Sequence, residues 1–203
     1  MTAKESKLSP GQPSQIQWGD GNWVFLDIGF ASYRRTCGLL MEDAPATCVT
    51  FADARKKIIQ WLVKSNSLVN LVIEAPLSVC FDSKGNPKGR LVDKSGKGVR
   101  YWYLGLGCGV MVATMYLIRT ICEDARVIVP IRLFEGFVSY KTSSLPSDHR
   151  DDVCRIREVV RDPAKFSNSI YGADKLKQDP TDELFSAFRV AGLDCGVPAV
   201  IKP

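Results

Sequence analysis

The chain has 203 residues, 45% of them hydrophobic and 24% charged, with a formal net charge of +5. That length supports one sizeable core and is short for two, and the mild positive charge suits an anionic partner without demanding one. Seven scattered cysteines without a C-x-x-C pair, beside a single histidine, exclude a structural zinc knuckle. With no secretory leader in view, they also predict reduced thiols and a cytoplasmic setting.

In chain order, residues 1–18 (MTAKESKLSPGQPSQIQW) are poor in apolar side chains and are predicted as a mobile lead-in to one domain over 19–203. WVFLDIGF (23–30) is an apolar run rich in strand formers, expected as a strand buried on both faces. YRRTCGLLMED (33–43) and ATCVTF (46–51) predict two further strands joined by a short Pro45 hairpin. FADARKKIIQWLVKSN (51–66) carries the apolar stripe of an amphipathic helix. LVNLVIEAPLSV (68–79) is a fourth strand, interrupted at Pro76.

Residues 82–100 (DSKGNPKGRLVDKSGKGVR) hold six basic residues, four glycines and little to bury, which predicts a long flexible loop. The apolar run that follows reaches Arg119 too early to span a bilayer and is read as a buried helix over about 104–122. No membrane association is expected. RVIVPIRLFEGFVSY (126–140), carrying Glu135, predicts a fifth strand, or two divided at Pro130. SDHRDDVCRIREVVRD (147–162) has a Ser147 cap, early acids and late bases, and predicts a helix. PTDELFSAFRVAGLDCG predicts a last helix capped by Thr181. The expected fold is therefore α/β: a mixed five-stranded sheet, three strands antiparallel and the rest parallel, with helices on both faces.

Strand four most naturally lies parallel to strand one, which would set Asp27 beside Glu74 near two strand ends. The helix opening with Asp182 and Glu183 could add a third acid there. Carboxylates so close repel, and divalent cations relieve the repulsion; Mg²⁺ or Mn²⁺ suits oxygen ligands. Each acid also has a plainer reading. Asp27 can bond nearby backbone amides or pair with Arg34 or Arg35, Glu74 can cap the loop beyond Pro76 or pair with a lysine, and acids in a helix's first turn are favoured by its dipole alone.

The ordered set FLDIGF, VIEAPL and TDELFSAFRVAG, within a β-β-β-α-β-α order, resembles the ribonuclease H-like superfamily over about residues 22–195. The RuvC-like resolvases and related nuclease-like domains come nearest. The resemblance implies a metal-dependent nuclease with Asp27, Glu74 and Asp182 as ligands holding Mg²⁺ or Mn²⁺. Glu183 is the alternate for the last position, and Glu135 in RLFEGFVSYK is an accessory acid, though a structural role suits it better. RuvC-like enzymes often carry D-x-x-D or H-x-x-D at the last site. DELFSAF has no second acid there, and His149 stands on another helix.

Lys84, Lys88, Arg90, Lys94, Lys97 and Arg100, followed by Tyr101, Trp102 and Tyr103, suit a nucleic-acid-binding arm beside that site. A merely solvated loop is the alternative. The leading expectation is phosphodiester hydrolysis in nucleic acid. An inactive binding or scaffold subunit, as a homodimer or within a larger complex, is the alternative. A nucleotide phosphate site of the actin or sugar-kinase type ranks below both, since GLDCG (192–196) is a poor second phosphate loop.

Overall fold

A computed structural model of the chain describes residues 7–29, 36–95, 98–99, 107–138 and 148–203. Its elements, in order, are β1 (Leu8–Pro10), β2 (Asn22–Asp27), β3 (Cys37–Met41), β4 (Thr47–Val49), α1 (Phe51–Lys64), β5 (Val69–Glu74), β6 (Ser78–Phe81) and β7 (Pro87–Lys88). There follow β8 (Lys94–Ser95), β9 (Gly98–Val99), α2 (Gly107–Glu123), β10 (Ile131–Gly136), α3 (His149–Arg161), β11 (Ile170–Tyr171), β12 (Glu183–Ser186) and β13 (Val200–Ile201).

Alternation along the strands builds the layers. In β2, Val24 and Leu26 face one way, onto a core with Ala54, Ile58 and Leu62 of α1 and Leu117, Ile118 and Ile121 of α2. Trp23 and Phe25 face the other way, with Val72, Phe134 and the α3 residues Val153, Ile156, Val159 and Val160. The sheet is thus mixed α/β, with α1 and α2 on one face and α3 on the other.

The eight-stranded sheet runs β11-β13-β10-β5-β2-β3-β4, with β1 also paired to β10. Strands β2, β5 and β10 are mutually parallel neighbours, and β3 and β4 continue the sheet antiparallel. The expected parallel pairing of strands one and four is present, with Asp27 opposite Glu74.

Four expectations give way. The sheet holds eight strands rather than five, because the short β1, β11 and β13 extend it on the β10 side. From Lys7 onward the lead-in is built into the fold: Leu8–Pro10 pairs with Ile131–Leu133, and Ile16 is buried beside Trp23 and Phe25. The segment from 82 carries β7, β8, β9 and a 3-10 turn at Leu91–Asp93, anchored by Val92 and Arg90, both buried. And 183–186 is a strand, because β12 finds a partner in β6 (Glu183 opposite Phe81, Ser186 opposite Ser78) that outweighs its local helix preference. No helix among the described residues is long and apolar enough to cross a membrane.

Candidate metal centre

Asp27 and Glu74 end adjacent parallel strands in the same register, so their side chains leave the same face, the one covered by α3. Both are buried. The third strand places Gly136 opposite Glu74, leaving that position open for Ile156 of α3. The Glu74 carboxylate accepts the Val138 N–H at 3.2 Å.

The first turn of α3 completes the group. Its N-cap is Asp148, one residue later than expected, whose carboxylate accepts the Arg150 and Asp151 N–H bonds at 2.8 and 3.0 Å. His149 and Asp152, three apart, therefore share a helix face. His149 Nδ1 lies 2.6 Å from Asp27 Oδ2, and Asp152 is fully buried. Asp27, Glu74, His149 and Asp152 each offer a ligand atom, and these atoms all lie within 4.8 Å of one another.

Two glycines let the helix come this close. A Cβ on Gly29 would stand 2.3 Å from His149 Nε2, and one on Gly38 would stand 2.0 Å from the His149 carbonyl oxygen. The α3 N-terminus also brings its positive dipole end toward the acids, offsetting part of their repulsion. Nearby, burial pushes the Cys37 thiol up to about 11, with a hydrogen bond from the Gly29 backbone opposing the shift and the Asp27 charge adding to it. Cys37 is thus a neutral thiol near neutral pH.

The donor set fits a divalent cation. Three carboxylates suit Mg²⁺ or Mn²⁺, and the imidazole admits borderline ions more readily than a purely oxygen site would.

The other residues singled out in the sequence lie elsewhere. Asp182 is in a turn ahead of β12, where Lys88 Nζ donates to both its oxygens at 2.7 and 2.9 Å and the Gln178 and Asp179 N–H bonds add to them. The Lys88 hydrogen bond holds its carboxyl below the usual range. Glu183 is exposed on β12, and Glu135 is buried against Arg90. Of the basic residues, Lys84 and Lys94 are exposed, Lys88 is tied to Asp182 and Arg90 is buried. The arm reading therefore fails for Arg90 and weakens for Lys88. Lys97 and Arg100 lie outside the described residues, as do Arg34, Arg35 and the aromatic run 101–103.

From sequence, His149 is set apart on another helix and Asp152 is not singled out at all. The available signal was HRDD directly behind a capping aspartate, an H-x-x-D on the first turn of a helix. Compared with known proteins, the chain matches no family model, no curated protein and no solved structure.

Proposed function

We propose that the chain is a ribonuclease H-like, metal-dependent nuclease acting on phosphodiester bonds in nucleic acid. The observation that carries this reading is the convergence of Asp27, Glu74, His149 and Asp152 within 4.8 Å at the ends of two central parallel strands. The sheet order β4-β3-β2-β5-β10, in which β3 pairs antiparallel with both β2 and β4 while β2, β5 and β10 run parallel, is the arrangement the family resemblance leads one to expect. His149 and Asp152 supply the H-x-x-D pattern that DELFSAF lacks, and they take the role first given to Asp182.

In this reading Asp27, Glu74 and Asp152 hold Mg²⁺ or Mn²⁺ through oxygen, with the His149 imidazole beside them. A bound divalent cation would supply an activated water and charge stabilisation at the leaving oxygen. The chain's own part is to fix the four donors on two strands and one helix turn, and to bury the acids so that little water competes for them. Exposed Lys84 and Lys94 and the net charge of +5 favour an anionic substrate.

The test is a Mn²⁺ titration followed by melting, with cleavage of labelled DNA and RNA oligonucleotides alongside. At a hundredfold excess over its dissociation constant, Mn²⁺ should add about 2.7 kcal/mol, or roughly 5–10 °C for a chain of this size. Asp27→Asn should lose both the shift and the cleavage. A wild-type chain that Mn²⁺ does not stabilise would sink the metal site, and a stabilised chain that cuts neither nucleic acid would favour the scaffold reading.

A further inference from the structure

Behind the metal group, on the sheet face covered by α1 and α2, lies a second set of charges. Arg90 is fully buried, and each of its five guanidinium N–H bonds has an acceptor. Nε and Nη2 donate to Asp93 at 3.2 and 2.9 Å, and Nη1 donates to Ser78 Oγ at 2.8 Å. Nη1 and Nη2 donate to the two Glu135 oxygens at 2.7 Å each. Asp93 and Glu135 are also fully buried, and the Lys202 ammonium, donating to the Val92 carbonyl at 2.7 Å, brings the set to two cations and two anions.

Buried ion networks of this kind add little net stability, because desolvation cancels much of the attraction. What this one supplies is geometry around Glu74. Glu135 Oε2 accepts not only from Arg90 but from the Leu77 N–H at 2.8 Å. Leu77 lies three residues beyond Glu74, across the Ala75-Pro76 bend. Val138, whose N–H meets the Glu74 carboxylate, lies three residues beyond Glu135. Gly136 stands opposite Glu74 in the register between them. Each glutamate thus fastens the chain that leaves the other's strand.

We infer that Arg90 is a positioning residue for the metal group, orienting the Glu135 carboxylate that pins the Leu77 amide and, with it, the strand end presenting Glu74. The inference rests on reading Asp27, Glu74, His149 and Asp152 as a metal site. A lysine cannot replace the arginine here: a single ammonium offers three donors from one point, whereas the planar fork reaches Asp93, Ser78 and both Glu135 oxygens together. Partners that orient metal ligands through hydrogen bonds typically alter affinity by roughly 10- to 100-fold when changed.

The experiment compares Mn²⁺ affinity, by calorimetry, and amide hydrogen exchange at Leu77 and Val138 in the wild type, Arg90→Lys and Ile121→Val. The last is a core change on the same face with no link to the network. Arg90→Lys should weaken Mn²⁺ binding roughly 10-fold or more and speed exchange at both amides. Ile121→Val should leave both unchanged, even at equal loss of melting temperature. Asp93→Asn, which keeps the shape and removes one charge, serves if Arg90→Lys does not fold, with the same direction expected. Wild-type affinity and protection in the network variants would overturn the inference, as would an equal loss in Ile121→Val. Should the wild type bind no Mn²⁺, the metal reading falls on that result alone. The positioning role is then decided by exchange at Leu77 and Val138, which needs no metal.

Discussion

A methyl group on Gly38 would place its carbon 2.0 Å from the His149 carbonyl oxygen and 3.1 Å from the His149 Cβ. The obstructing atom belongs to the backbone of the first turn of α3, so it cannot swing aside as a side-chain tip would. Gly38→Ala is therefore expected to cost about 1–3 kcal/mol, as overpacked sites do, and to weaken Mn²⁺ binding by lifting His149 and Asp152 away from Asp27. Urea unfolding and a Mn²⁺ titration check the two parts, and unchanged affinity would show that close approach of the helix is not needed. At this scale half of the site was legible in the sequence. Asp27 and Glu74 stand out as charges closing apolar runs, where burial demands a partner. His149 and Asp152 do not, because acids and a histidine at the start of a polar helix are ordinary on a solvated surface. Only the packing of that turn against Gly29 and Gly38 sets them apart.

At the scale of elements, the periodic segments were readable and the short ones were not. The helix over 147–162 appears as His149–Arg161, and the helix over 51–66 as Phe51–Lys64 capped by Thr50. Their apolar stripes are long enough to outweigh local alternatives. In the stretch 181–186 Thr181-Asp182-Glu183 imitates a helix start, yet the segment is a turn and a strand. Its real role is settled by β6, a partner some hundred residues earlier in the chain. The cap of α3 makes a prediction of its own. Its hydrogen bond to Arg150, with help from the Arg150 and Asp151 amides, holds the Asp148 carboxyl down at about 2. Since the folded value is depressed, this contribution is present above the ordinary carboxylate range and is lost as pH falls through about 2. Asp148→Ala should cost about 1 kcal/mol at neutral pH, and the difference from wild type should shrink in acid. Unfolding curves at pH 7 and in acid provide the measurement; a difference that does not change with pH would assign the cap's effect to something other than its charge.

Across the whole molecule, burial of thiols in the core should make stability fall in alkali. Burial pushes Cys37 up to about 11 and Cys195 up to about 12. The folded values lie above the unfolded ones, so the unfolded chain releases these protons first. Stability is whole below the ordinary thiol value near 9 and declines as pH rises toward 11. The slope should be about 1.4 kcal/mol per pH unit for each such thiol, and Cys37→Ala should remove its share. Denaturation midpoints taken across that range test this, and a flat profile would count against it.

Hydrophobic runs and their periods sufficed to identify an α/β chain with its main strands, its three long helices and two buried acids at strand ends, because burial leaves its mark on local composition. The identity of the neighbours came from tertiary structure alone. Arg90 reads as one more base in a polar loop until Asp93, Glu135 and Ser78 close around it. Lys88 reads the same way until it meets Asp182. A charge's role depends on what is brought within a few ångströms of it, and here Glu135 lies 45 residues from Arg90, Asp182 lies 94 from Lys88 and His149 lies 122 from Asp27 along the chain.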